Sequence, residues 1–454
     1  MQSLWSPSAD ITPARSGIED RLAEMITIPT ISAHRAELGV GPFEQFLDLL
    51  AQQYPLIHQH LERERIGELG MVFTWSPAGP SAAAPVVLMA HFDVVPVAGQ
   101  EDEWTVPPFE GRIADGVVWG RGALDDKGSL VTLLDAVENL LTDGWAPPRE
   151  VLLCLGGDEE THGRAARLIA DTLKDRGVRP SFVLDEGGAV TTLPFPGLSG
   201  WFAMIGLAEK GVMAVRLSTT GAGGHASAPS GLTAVGRIAR AVARLNHNPF
   251  RLRMPRTVRQ LFSRLADYAD QPYAGIYRAA ASAPAVTSRL LPLLGAEGEV
   301  MVRTSLAATM ISGGSAANVL PSEASAVLNL RVNVGESCDQ VITRLRTVID
   351  DPEVTIDIIE ADEPTPESAV DNAAWRQLAA AVAAAYPGVE AVPYLTTAAT
   401  DGRHWHRFTP NVYRFSPLAM DAEQRASIHA ADERVSVDAL VRGERFYRAL
   451  LLGL

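Results

Sequence analysis

Cysteine is almost absent. Cys154 and Cys338 are the only two in 454 residues, and they form no Cys-x-x-Cys pair. A disulfide framework is therefore not expected, which fits a reducing, cytoplasmic compartment. Long apolar runs are missing too. None approaches the roughly 20 residues that span a bilayer. The opening Met1-Gln2-Ser3-Leu4-Trp5 has no basic start and no apolar stretch after it, so neither a signal peptide nor a membrane partner is expected. Positive charge is in deficit. Thirty-nine basic residues face 54 acidic ones, for a formal net charge of −15. That argues against nucleic acid as a partner. Internal repeats and low-complexity linkers are also lacking. What is present is a 47% apolar chain, too long for one ordinary core, so two domains are expected.

Three short apolar runs carry the organisation. Pro85 to Ala90 ends at His91, Val151 to Leu155 ends in Gly156-Gly157-Asp158-Glu159-Glu160, and Ser181 to Leu184 ends in Asp185-Glu186-Gly187-Gly188. Between the first two, Leu130, Leu133, Leu134, Val137 and Leu141 recur at helical spacing. Strands alternating with helices predict an α/β fold with a mostly parallel sheet. Ligands of such sheets sit beyond the carboxyl ends of the strands, so the three segments should converge. The middle of the chain reads differently. Strand patterns near 213–219, 304–312, 324–332 and 354–358 enclose helices at 233–245 and 338–349, the latter with Ser337 as N-cap. This is the βαββαβ order of a ferredoxin-like unit. Residues 248–303 are a Pro-rich, partly helical extra segment with no place in that pattern. After residue 366 the α/β pattern returns, with a helix at 375–386, a strand at 391–395 and a closing helix at 436–452. The expected layout is a catalytic domain of 1–208 and 366–454, interrupted by an inserted lid or dimerisation domain of 209–365.

The chemistry-bearing residues stand at element ends. His91 can ligate zinc while Asp93 accepts its other N–H, although His-x-Asp alone is more often an ordinary strand end. Asp125-Asp126, in Gly120-Arg121-Gly122-Ala123-Leu124-Asp125-Asp126-Lys127-Gly128, can bridge two cations or simply cap a helix. In Asp158-Glu159-Glu160 one carboxylate can bind metal while its neighbour acts as general base on the metal-bound water; a solvated acidic loop is the bland alternative. Asp185-Glu186 repeats that situation, and His429 supplies a second imidazole. Each alone is weak. Together they form an ordered nitrogen and oxygen donor set of the kind zinc takes. His404 and His406 are assigned to structure or surface, and His162 to a loop.

At this point the chain resembles the zinc peptidase family of aminoacylase-1, glutamate carboxypeptidase, succinyl-diaminopimelate desuccinylase and Gly-X carboxypeptidase. The carrying segments are His91-x-Asp93, Gly120 to Gly128, Asp158-Glu159-Glu160, Leu184-Asp185-Glu186-Gly187, Gly224-His225-Ala226-Ser227-x-Pro229, Asn318-Val319-Leu320-Pro321 and Ile428-His429, in the family's order. The Leu-Asp-Asp-Lys-Gly and Leu-Asp-Glu-Gly-Gly segments look most like the branch of Gly-X carboxypeptidase and the N-fatty-acyl-amino-acid hydrolases. The resemblance implies a two-zinc amide hydrolase, with manganese or cobalt as alternative ions, acting on a small peptide or N-acyl amino acid with a free carboxylate. It implies His91 on one zinc, Asp125 bridging both with a cis peptide to Asp126, and Glu160 and His429 on the second zinc. The remaining ligand is Asp185 or Glu186. Asp93 would orient His91, and Glu159 would be the general base. His225 would stabilise the oxyanion, Arg331 would bind the substrate carboxylate, and Asn318 would contact substrate. Asp401 and Arg403 match a family loop near the site. A homodimer through the lid is a further implication. A catalytically inactive peptide- or metal-binding relative would show loss of the base or of ligands, and none is lost.

Overall fold

The computed structural model describes residues 15–97, 99, 101–228 and 231–454. The N-terminal stretch read above for a signal peptide, and Pro229 of the His225 segment, lie outside the described residues. Along the main paths of the two larger sheets, six strands come first: β1 (Glu62–Ile66), β2 (Gly70–Trp75), β3 (Val86–His91), β4 (Val151–Gly156), β5 (Phe182–Asp185) and β6 (Phe202–Glu209). Four follow in the middle: β7 (Gly211–Thr220), β8 (Ser305–Ser312), β9 (Glu323–Val332) and β10 (Thr355–Asp362). Two close the set: β11 (Glu390–Thr396) and β12 (Val412–Arg414). The large sheet has the order β1-β2-β4-β3-β5-β12-β6-β11, with the short strand Val190–Thr191 on β6. It is parallel through its centre, from β4 across β3 and β5 to β12. The β1–β2 edge is antiparallel.

Strands β3 and β4 are buried at every position because each contributes to two cores. Val86, Leu88 and Ala90, with Val151, Leu153 and Leu155, join a cluster with α1 (Ile18–Ile26), α2 (Lys127–Thr142), α9 (Ala373–Ala385) and α11 (Val437–Leu452). Val87, Met89, Leu152 and Cys154 join the opposite cluster with Ile169 and Leu173 of α3 (Arg164–Asp175). A strand covered on both faces reads as a continuous apolar run, and that is why these runs carried no alternation.

The smaller sheet has the order β8-β9-β7-β10, all antiparallel. Here alternation is clean. Ala324, Ala326, Leu328, Leu330 and Val332 pack with Met213, Val215 and Leu217 beneath α4 (Ala234–His247) and α8 (Cys338–Ile349). The Ser337 hydroxyl accepts from Gln340 N, and the Gln340 side chain returns to the Ser337 N–H, closing a capping box on α8.

The extra segment has its own place. Its helices α5 (Arg256–Leu265), α6 (Tyr273–Ser282) and α7 (Pro284–Leu290) leave the small sheet and cover the β6/β11 edge of the large one. Val258, Leu261, Phe262 and Leu265 pack there against Phe202, Met204, Ala208, Val392 and Leu395. The amphipathic pattern predicts such helices but not which apolar face they seek.

Candidate active site

The carboxyl end of β3 delivers His91, which is 2% exposed. Its Nδ1 lies 3.1 Å from the Asp93 carbonyl and 3.3 Å from the Asp93 carboxylate. Its Nε2 lies 3.0 Å from Asp125 Oδ1. Asp93 does more than face His91. Its two oxygens accept from the backbone N–H groups of Glu159 and Glu160, at 3.0 and 3.1 Å. One buried carboxylate thus locks the turn after β4, the 3-10 stretch Glu159–Thr161, against the end of β3.

Asp125 precedes α2, and its peptide bond to Asp126 is cis. Its second oxygen lies 3.1 Å from His429 Nε2, which also lies 3.2 Å from Glu160 Oε1. His429 sits in the left-handed region at φ 62°, on the loop between α10 (Ala422–Ser427) and α11. A side chain there is disfavoured, so the surroundings impose this conformation. Two groups of possible ligand atoms result: His91, Asp125 and Glu186, and Asp125, Glu160 and His429. The atoms of each lie within 4.8 Å of one another, and Asp125 belongs to both. Of the two candidates after β5, Glu186 joins the group. Asp185 turns away and accepts from Gly402 N.

Electrostatics match the geometry. Burial pushes the carboxyls of Glu159, Glu160 and Glu186 upward, and neighbouring acids add to it. Burial likewise lifts Asp126 to about 8. Burial opposes ionisation of Asp125, yet hydrogen bonds from His429 and His91 hold it below the usual carboxylate range. Hydrogen bonds to Asp125 and Glu160 raise His429 to about 10. No lysine or arginine bonds to Asp125, Glu159, Glu160 or Glu186 among the described residues. Crowded, buried acids without a fixed counter-cation, arranged with two imidazoles, are a donor set that fits divalent ions.

Other sequence candidates lie elsewhere. His225 is exposed on a two-residue strand with Val319, its Nδ1 2.7 Å from Ser227 Oγ. Asn318 is exposed beside it. Arg331 is half-buried on the face of β9 opposite the small core, within the field of Glu360 and Arg403. None of the three lines the cavity at the acidic groups. Asp401 is buried near Gly163, and its Oδ1 has no hydrogen-bond partner. Arg403 donates to the Thr400 and His162 carbonyls and lies 3.6 Å from Asp362. His404 and His406 are buried, not on the surface. Burial depresses them to about 3 and about 2, and neither belongs to either ligand group. His162 is exposed, 3.4 Å from Glu360.

Sequence reasoning missed Glu433. Its carboxylate is fully buried and accepts from the N–H groups of Gly122, Leu124 and Asp125 and from Arg121 Nη1. It therefore shapes the loop that presents Asp125. Arg121 is buried too, 5.3 Å over the Trp104 ring. The only sequence signal was an acid four residues after His429. Lys127 was quoted without a role. It is buried, donates to the Met25 and Ile28 carbonyls, and ties α1 to the start of α2. Also missed was the cavity wall formed by Met204, Tyr394 and Met420, residues that carry no motif.

Comparison with known proteins places this geometry. The profile of Peptidase family M20/M25/M40 matches residues 87–453. A carboxypeptidase S-like protein of Dictyostelium discoideum is 34% identical over 444 residues, covering 96% of this chain and 84% of the relative. The N-fatty-acyl-amino acid synthase/hydrolase PM20D1 of Homo sapiens is 32% identical over 454 residues, covering 98% and 89%. Among solved structures, the M20 family metallo-carboxypeptidase Sso-CP2 from Sulfolobus solfataricus superposes with a TM-score of 0.70 at 16% identity, covering 96% of this chain and 99% of that one. The family implies a divalent metal, typically zinc, and the two ligand groups sharing Asp125 suit one. The chain belongs to peptidase family M20/M25/M40 and is a hydrolase acting on amide bonds.

Proposed function

We propose that the protein hydrolyses the amide bond of an N-acyl amino acid or small peptide bearing a free carboxylate, using Glu159 as base and two divalent ions, zinc first. The observation that carries this reading is the pair of ligand groups joined at Asp125, with Glu159 lining the same cavity. His91, Asp125 and Glu186 would hold one ion, and Asp125, Glu160 and His429 the other. When bound, the ions polarise the amide carbonyl and make water nucleophilic at neutral pH. Glu159 is free for proton transfer, because its carboxylate makes no hydrogen bond among the described residues. It takes a proton from the attacking water and returns it to the amine nitrogen as the carbon–nitrogen bond breaks. Asp93 keeps Glu159 and Glu160 in register through their backbone N–H groups.

Residues 209–365 would act as the lid. They meet the rest of the chain through the apolar packing of α5 on β6 and β11 and through polar contacts, Arg403 to Asp362 and His162 to Glu360. Because Arg331, Asn318 and His225 lie outside the cavity, their proposed contacts with substrate carboxylate and oxyanion require lid movement or a second copy of the chain. Light scattering checks for the latter. No helix among the described residues is long and apolar enough to cross a membrane.

The test of the mechanism is Glu159→Gln, assayed on dipeptides and N-acyl amino acids with zinc added. We expect bound metal, measured by elemental analysis, to persist while hydrolysis falls by about 10^2- to 10^4-fold. A variant that keeps its full rate across the panel would falsify the mechanism.

A further inference from the structure

We propose that the extra segment 248–303 sets the length of the acyl group this enzyme accepts. Its helix α5 holds Met204 and Tyr394 as a fixed wall of the cavity, so a compact neutral chain fits and a long one does not. The inference rests on the amide-hydrolase reading and narrows its substrate class.

The cavity measures about 330 Å³ and is lined both by the acidic groups and by Met204 and Tyr394. These stand at different places in the large sheet. Glu159, Glu160 and Glu186 follow β4 and β5, near its centre. Met204 lies on β6, and Tyr394 lies on the edge strand β11. Neighbouring strands are spaced by about 4.8 Å, so β6 is roughly 10 Å and β11 roughly 14 Å from β5. The cavity therefore runs across the sheet, from the acidic centre toward the β6/β11 edge.

That edge is where the extra segment packs. Ala203 and Ile205 of β6 enter the core shared with α2, whereas Met204 joins the cluster with Val258, Leu261 and Phe262 of α5. Tyr394 packs against the same cluster. Two acids outside the segment clamp α5 in place. Glu367 accepts from the N–H groups of Arg256 and Thr257 at the helix start, at 3.2 and 2.7 Å. Its neighbour Ser368 is itself fixed, donating its N–H to the Leu207 carbonyl of β6. Glu390, at the start of β11, accepts from the Tyr268 hydroxyl just beyond the helix end, at 2.8 Å. A helix pinned at both ends leaves Met204 and Tyr394 little room to retreat. Met204 is 7% exposed, and packed interiors resist added volume.

The lining also selects the chemistry. Thr191, Thr396, Thr400 and Ser416 add hydroxyls to it. Thr400 Oγ1 donates to Glu209 Oε1 at 2.8 Å, and Thr396 Oγ1 is buried without a hydrogen-bond partner. Hydroxyls offer dipoles and no charge. Arg425, the basic side chain in the lining besides His429, is exposed. A carboxylate drawn into this wall would lose water without gaining a buried cation, which is costly. The neutral acyl side of the substrate therefore enters, and its free carboxylate stays outside. With about half of the volume given to the amide and the ions, the rest suits about six carbons, since a cavity of about 150 Å³ takes a benzene-sized group.

The experiment is a series of N-acyl-glycines from acetyl to dodecanoyl, with zinc added. Each methylene that enters the cavity should raise kcat/KM by up to about fourfold. The rise should end near hexanoyl, and N-dodecanoyl-glycine should fall about 10-fold or more below the maximum. Met204→Ala should move the turning point outward by roughly two carbons, the space of the truncated side chain. Met204→Trp should move it inward. Phe262→Ala changes no lining residue and should still move it outward, because it removes support behind the wall. General damage to the fold lowers all rates together and leaves the turning point where it was. Calorimetry on Glu159→Gln repeats the series without turnover. A turning point in affinity near hexanoyl, in a protein whose parent hydrolyses none of these substrates, would sink the hydrolase reading and keep the acyl pocket. A flat or steadily rising series, or a turning point unmoved in both Met204 variants, overturns the pocket and leaves the hydrolase reading standing. A turning point that moves in those variants but not in Phe262→Ala overturns the role of the extra segment.

Discussion

The two largest sheets of this molecule solve opposite problems. The large sheet is covered on both faces at its centre, so β3, β4 and β5 are apolar along their length and polar chemistry is pushed to their carboxyl ends. His91 stands at the end of β3, with Glu159, Glu160 and Glu186 just beyond β4 and β5. The small sheet is covered on one face only, so polar residues such as Ser325, Asn329 and Arg331 occupy much of the other face of β9. Functional side chains in the first are forced together by topology. In the second they are spread over a surface, and only docking or closure can bring them to a reaction. This difference explains why the structure gathers the acidic centre but leaves Arg331 outside the cavity, and His225 and Asn318 lie outside it too, at a separate two-stranded pair.

The comparison can be broken in graded ways. The largest effect should come from His91→Ala at the end of the two-faced sheet. Bound metal and hydrolysis should both fall, activity by on the order of 10^3-fold or more, since several kcal/mol of charge stabilisation are at stake. Elemental analysis and initial rates check this, and a variant with normal metal content would contradict the ligand role. Next is Glu433→Ala. It leaves Arg121 buried and unpaired and removes the acceptor of three backbone N–H groups, so about 3–5 kcal/mol of stability should be lost. Denaturant unfolding measures it, and a loss under about 1 kcal/mol would show that the loop holds itself. Leu330→Ala probes the one-faced sheet and should cost about 2–5 kcal/mol. Hydrogen exchange should then accelerate in α4 and α8, while the metal content stays normal. Equal acceleration in α2 would show that the two cores do not unfold separately. Asp93→Asn should weaken metal affinity or activity by about 10- to 100-fold, as loss of an orienting partner does. The smallest effect is expected for Ser337→Ala, about 1 kcal/mol from the lost cap. No change in the unfolding midpoint would mean that α8 is held by its packed face alone.

Much of this was legible in order along the chain. Helix α8 follows Ser337 as its apolar spacing and cap require, and β3 ends at His91 as its apolar run does. The unreadable parts share a cause. Glu433 and Arg121 lie 312 positions apart, and neither has a local pattern that reveals the partnership. The segment 248–303 shows helical amphipathicity, but periodicity reports only that a face must be buried, not that its partner is the β6/β11 edge. The choice between Asp185 and Glu186 was open because adjacent side chains at a strand end point in different directions. The backbone turn after β5 sends Asp185 to Gly402 N and Glu186 to the cavity. Met204, Tyr394, Met420 and Arg425 were invisible as a set, since a cavity wall is assembled from β6, β11, α10 and the loop before α10 without a motif in any of them.

By itself, then, the sequence determined the class of fold, the alternation of elements and the residue types able to hold cations and move a proton. These depend on local periodicity and on intrinsic side-chain chemistry. Tertiary structure alone decided which carboxylates share a site, which merely support it, and which side chains form the wall a substrate would meet. Those outcomes turn on distances of a few ångströms between residues hundreds of positions apart, and spacing along the chain carries no record of them.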